Sequence, residues 1–97
     1  MSITALLDLQ LKPDSQDDGY RLTHDVLTAT RAFPGCLRVD VVIDTTDPLH
    51  VMVIEVWESM AADAAYRAWR ASPEGASNLG SVLAAAPMLT KFESSEL

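Results

Sequence analysis

The chain carries a single cysteine, Cys36, among its 97 residues. No internal disulfide can form, so a reducing compartment, the cytoplasm, is the natural expectation. Positive charge is scarce as well. Seven lysines and arginines stand against 14 aspartates and glutamates, a formal net charge of −7. Nucleic-acid binding needs a concentrated basic surface, and docking on anionic lipid needs a basic patch, so neither partner is expected. No uninterrupted apolar run approaches the roughly 20 residues of a membrane span. The N-terminus has no basic region, and Asp8 breaks its early apolar stretch, so no signal peptide is expected. Only four glycines occur, Gly19, Gly35, Gly75 and Gly80, each isolated. Their scatter excludes the glycine-rich loops that cradle phosphates and dinucleotides, and no Gly-x-Ser-x-Gly elbow is present. Neither histidine, His24 or His50, has a second histidine or carboxylate at metal-ligand spacing, so no metal site is expected.

What is present is an ordinary globular composition, 48% apolar, in one small domain over 1–97. Ile3, Ala5, Leu7, Leu9 and Leu11 alternate with Thr4, Leu6, Asp8 and Gln10, which predicts a strand over 3–11. Ser15 with Asp18 reads as a weak capping box opening a helix that runs to Phe33, with Leu22, Val26, Ala29 and Phe33 as its apolar stripe. Pro34-Gly35 ends it. A second strand over 36–44 places Leu37, Val39, Val41 and Ile43 on one face. A turn over 45–48 leads into a third strand over 50–57. Ser59 caps a second helix with Ala61, Ala65, Ala68 and Trp69 turned inward, broken at Ser72-Pro73. A further short helix is expected over 74–85, and a last strand over 88–94.

The predicted order is β-α-β-β-α-α-β, a ferredoxin-like α+β domain with helices on one antiparallel sheet. Its third strand is apolar on both sides. Val51, Val53, Glu55 and Trp57 take one face, and His50, Met52, Ile54 and Val56 the other. One small helix layer covers one face only, so a homodimer through the other sheet face is expected.

The Phe33-Pro34-Gly35-Cys36-Leu37 corner and the Glu55-Val56-Trp57-Glu58-Ser59 corner, with the Lys12-Pro13 turn and the Ser72-Pro73 break, resemble the antibiotic biosynthesis monooxygenase family of dimeric α+β barrels. The resemblance spans nearly the whole chain. It implies a ferredoxin-like protomer, a dimer whose sheets meet in a barrel, and a pocket between sheet and helices. It also implies an activity: cofactor-independent monooxygenation of a small planar phenolic or quinol-type ligand, with no metal, flavin or haem. The alternative is a non-catalytic or regulatory small-ligand-binding dimer of the same fold.

On that resemblance Trp57 and Tyr66 are the candidate catalytic residues, and Val53, Glu55 and Trp69 the candidate substrate-binding residues. Trp57 can donate its ring N–H to a substrate oxygen. Tyr66 and Trp69, three apart on one helix, form an aromatic wall with it. Glu55 is an acid in an apolar strand, and a buried carboxylate needs a partner such as Arg38 or Arg31. The pattern departs from the best-known oxygenases at two positions. They carry an amide four residues before the tryptophan, where this chain has Val53, and a tyrosine where it has Asp63. Each candidate also has a plainer reading as core packing. His24 lies beside Tyr20 and Arg31 on the first helix and is expected to face solvent, while His50 is placed at the dimer seam. Asp63 and Arg67 read as a solvated pair. No histidine follows His50, which argues against haem degradation.

Overall fold

The computed structural model describes all 97 residues. Four strands and two α-helices follow in the order β1 (Ile3–Gln10), α1 (Gln16–Ala32), β2 (Cys36–Asp44), β3 (Asp47–Trp57), α2 (Met60–Arg70) and β4 (Met88–Glu93). The strands form one antiparallel sheet in the order β2-β3-β1-β4. This is the ferredoxin-like α+β arrangement that the pattern predicts. Backbone extents of 40 × 36 × 19 Å give the depth of one sheet plus one helix layer.

Register decides which side chains meet the helices. Val51, Val53, Glu55 and Trp57 of β3 stand opposite Leu9, Leu7, Ala5 and Ile3 of β1. Directly paired residues share a face, and this face is the buried one. Its core has two parts. Leu9, Leu11, Leu27, Val51 and Val53 pack with Val39, Val82 and Leu83. Ile3, Ala5, Trp57 and Tyr66 form a second cluster, with Phe33 and Trp69 against it.

Several local expectations need correction. The buried residues of α1 are Gly19, Thr23, Leu27 and Thr30, not Leu22, Val26, Ala29 and Phe33. The buried stripe lies about a quarter turn round the helix from the apolar one. Two threonines therefore enter the core, each with a short side chain that lets the helix sit close to the sheet. Ser15 does cap α1 in position, but its hydroxyl bonds Asp14 and not the helix backbone. In α2 the buried residues are Asp63 and Tyr66, while Ala61, Ala65 and Ala68 are exposed. Ser59 caps that helix as expected, accepting from the Ala62 N–H at 3.1 Å.

The helix expected over 74–85 shrinks to one 3-10 turn, Leu79–Val82. Gly75, Ser77, Asn78, Gly80 and Ser81 are poor helix formers. Gly75 also packs on the end of α2, where a Cβ would lie 2.0 Å from the Trp69 carbonyl oxygen. Gly35, at the α1–β2 corner, is the only residue with positive φ, +89°. Only glycine adopts that conformation readily, and a Cβ there would strike Ala62 at 2.5 Å. The Glu58 N–H donates to the Gly35 carbonyl at 2.9 Å, which ties this corner to the link between β3 and α2.

The second sheet face has no cover within the chain. Leu6, Met52, Ile54 and Val56 are half-buried there, and Val42, Phe92 and Met88 are exposed at 49%, 51% and 70%. No helix is long and apolar enough to cross a membrane.

Candidate functional site

The sequence reading gathers Trp57, Tyr66, Trp69 and Glu55 around one pocket. The structure brings these residues together, but packs them on each other. Trp57 has no exposed surface and Tyr66 only 3%. Their ring centroids lie 4.8 Å apart, with Phe33 edge-on to both. Trp69 is half-buried at the border of this cluster, 6.2 Å from Tyr66. Such tilted and edge-to-face contacts are the favourable geometry for aromatic packing. The Trp57 N–H is already used, donating to Glu55 Oε1 at 3.1 Å. The Tyr66 hydroxyl is engaged by Thr30 Oγ1 at 2.7 Å and by the Arg70 guanidinium at 2.8 Å. Val53 lies in the other cluster, fully enclosed. The expectation of an open aromatic pocket lined by these residues is therefore corrected to a closed aromatic core.

Glu55 is buried, as its position predicts, but its partner is neither Arg38 nor Arg31. Arg67 of α2 donates to it at 2.6 Å. The same arginine bonds Asp63 Oδ1 at 3.1 Å, and Lys91 of β4 pairs with the other oxygen of Asp63. Asp63 is thus fully buried and not a solvated surface acid. Two acids and two cations balance, which is what permits charge in a dry interior. This network fastens β4 to α2.

The open part of the sheet–helix layer is at the other end. A cleft of about 440 Å³ separates α1 from β2. Tyr20, His24, Leu27 and Arg31 recur at i, i+4, i+7 and i+11 and form its helical wall. Val39, Val41 and Ile43 alternate along β2 and form the opposite wall, with Val51 of β3 behind them. α1 does not reach over the outermost strand, so Val41 and Ile43 stay 39% and 46% exposed although they belong to the helix-side face. The Tyr20 hydroxyl donates to the Pro48 carbonyl and ties α1 to the β2–β3 hairpin. His24 thus stands in this cleft's rim, where the sequence alone gives it only solvent. The signal was available: three chemistry-bearing side chains at helical spacing, facing a strand whose alternation runs past the helix that covers it.

His50 lies on the uncovered face, bonded through Nδ1 to Asp44 at 2.8 Å and through Nε2 to Asp8 at 2.9 Å. Those bonds, Asp44 first, raise its pKa above the usual histidine value. The His50 bond, followed by those from Thr46, lowers Asp44 to about 2. Cys36 is half-buried and its thiol is pushed up by burial, the reverse of an activated nucleophile. No group of three or more histidine, cysteine, aspartate or glutamate side chains is arranged to hold a metal ion.

Residues 2–76 match the family model of antibiotic biosynthesis monooxygenase. No curated protein matches the sequence. Among solved structures, a conserved protein from Methanosarcina mazei Go1 superposes with a TM-score of 0.84 at 15% identity, covering 98% of this chain and 94% of that one. A protein from Mycobacterium tuberculosis gives 0.82 at 19% identity over 100% and 98% of the two chains. An antibiotic biosynthesis monooxygenase gives 0.80 at 22% identity over 96% and 98%. Identities this low speak for the fold alone.

Proposed function

Because the chain belongs to the antibiotic biosynthesis monooxygenase family, we propose that it is a cofactor-independent monooxygenase of a small planar phenol or quinol bound between α1 and β2. One observation carries the reading: a part-open cleft of about 440 Å³ with an apolar floor and a polar rim. Ligand sites have that character, mostly apolar walls with a few placed polar groups. Leu27, Val39 and Val51 offer the flat apolar surface, and Tyr20, His24 and Arg31 the polar contacts.

The reaction asks little of the protein beyond binding. Loss of the hydroxyl proton gives a phenolate that is electron-rich enough to reduce oxygen. A phenol with a free para carbon then takes up one O₂. One oxygen atom becomes the new ring carbonyl, and the other leaves as water with the hydroxyl proton and the ring hydrogen. The chain's task is to favour the anion and keep bulk water away. His24 is the rim group suited to accepting the proton. In this reading Trp57, Tyr66, Val53 and Glu55 give the helix layer its rigid support, and the substrate does not touch them. The working form is a homodimer in which the uncovered face of Leu6, Val42, Met52, Ile54, Val56 and Phe92 meets a second copy. Sedimentation is expected at about twice 10.5 kDa; a monomer would remove the dimer from this picture.

The enclosed state of Trp57 and Tyr66 favours a second reading, a ligand-binding dimer with no turnover. Oxygen uptake by the purified protein with a panel of naphthols and quinols, without added metal or flavin, separates the two. Stoichiometric uptake above the uncatalysed rate supports the oxygenase. Saturable binding with no uptake across the panel supports the binding protein.

A further inference from the structure

We infer that the α1–β2 cleft selects aromatic ligands that carry one negative charge, with Arg31 as the counterion. The inference rests on the cleft being the ligand site, and it deepens that reading. It starts from where the scarce cations are. Arg21 pairs with Asp18, Arg38 with Asp40, Arg67 with Glu55 and Asp63, and Lys91 with Asp63. Arg70 is spent inside, on the Tyr66 hydroxyl, Thr30 and the carbonyls of Val26 and Gly75. Arg31 differs from all of these. It has no carboxylate partner, and its one bond is to the Val39 carbonyl at 3.3 Å. The remaining N–H donors of its planar fork stay free at the cleft.

The other charged group at the cleft does not cancel it. The Asp40 carboxylate is held by Arg38 at 2.5 Å. In a chain of net charge −7, the cleft is therefore a local positive site. A second observation points the same way. Thr23 lines the cleft wall at 4% exposure, and its Oγ1 has no hydrogen-bond partner. Buried hydroxyls are normally satisfied, and an unsatisfied one beside a cavity marks where a polar ligand atom belongs. A flat ring between Leu27 and Val39, with an oxyanion in the Arg31 fork, meets the first condition, and a second polar substituent on the ring's far side, about two helical turns towards Thr23, meets the second. Carboxylate and phenolate are the groups that such a fork binds best.

The test is calorimetric titration of the full chain with 2-naphthoate and with its neutral counterpart 2-naphthamide. The wild-type protein is expected to bind naphthoate about tenfold more tightly at low salt. Arg31→Gln should bring the ratio to about one, with the loss falling mainly on naphthoate. Arg31→Lys, which keeps the charge, should retain most of the preference. Lys12→Gln makes the same charge change away from the cleft and should retain it fully. Equal affinities in the wild type, or a preference that survives Arg31→Gln, overturn the inference. With those outcomes, naphthamide binding that is abolished by Val41→Trp keeps the cleft as the ligand site. Failure of the wild type to bind either compound overturns the inference and the cleft reading together.

Discussion

The two ends of the helix-covered sheet face solve the same problem in opposite ways. Below α2 the space is filled by four aromatic rings and a balanced set of charges, and nothing is left open. Beside α1 the wall of β2 is made of Val39, Val41 and Ile43, and the helix contributes Thr23 and Leu27. α1 does not extend over the outer strand, so Val41 and Ile43 stay uncovered and a cleft remains. The lesson concerns where chemistry can happen. Residues with the most reactive repertoire, Trp57, Tyr66 and Glu55, are used up holding the closed end together. The open end has fewer such groups, and His24 and Arg31 among them have no carboxylate partner.

The largest expected effect tests that division directly. Trp57→Ala removes a fully buried indole and should destabilise the fold by roughly 3–5 kcal/mol in urea unfolding. Val41→Ala, at the half-open strand, should cost under about 1 kcal/mol. Similar losses at the two positions would break the contrast between a packed end and an open one. Next in size is Asp63→Ala. It leaves Lys91 and part of Arg67 without their acid, and breaking a buried pair typically costs about 3 kcal/mol. Pairing it with Lys91→Met should recover a measurable part of that loss, because the orphaned charge goes too.

Trp57→Phe sharpens the comparison at smaller cost. It keeps most of the ring bulk and removes the N–H that Glu55 accepts. Stability should fall by about 1–2 kcal/mol, the scale of one bond to a charged group. Affinity for a naphthol should not change. If affinity falls with it while Arg31→Gln does nothing, the ligand sits at the aromatic end and the assignment of ends is reversed.

How much of this was legible in the sequence depends on which residues are asked about. Strand faces were in part: period 2 separates Val51, Val53, Glu55 and Trp57 from His50, Met52, Ile54 and Val56, and Glu55 reads as a buried acid, but with both sides of β3 apolar the alternation does not say which side meets the helices. The helix faces were not. In α1 the apolar stripe and the buried stripe differ by a quarter turn, because Thr23 and Thr30 fit against the sheet where larger residues would not. In α2 the alanines suggest an inward face, yet Asp63 and Tyr66 go inside, since Arg67, Lys91 and Arg70 are placed to satisfy them. Partners from distant strands are invisible to helical spacing. Whether aromatic neighbours enclose a pocket or fill it turns on a fit of a few ångströms, which no spacing encodes. The cleft was within reach: Tyr20, His24 and Arg31 were seen as neighbours on one helix side, and only the overhang of β2 beyond α1 was missing.

The smallest expected effect concerns the hairpin that carries one wall of the cleft. At its end His50 is held between Asp44 and Asp8, on the face away from the ligand. In the folded chain its pKa is raised, so the fold prefers the protonated imidazole more than the unfolded chain does. The stabilisation is therefore complete below the ordinary histidine value of about 6.5. It is lost as pH rises through the raised folded value, because ∂ΔG/∂pH is negative wherever the folded state holds the extra proton. Asp44, lowered to about 2, works at the other limit: its contribution is present above the ordinary carboxylate range and is lost only as pH falls towards 2. Urea midpoints measured between pH 6 and 8.5 should thus decline slightly for the wild type. The decline should persist in Trp57→Phe, which touches the closed end only. It should be absent in His50→Gln, whose amide can still bridge the two acids but cannot titrate. An equal slope in His50→Gln and wild type would mean that the clamp does not brace the hairpin, and that the open end is held in place by Tyr20 and the strand ladder without it.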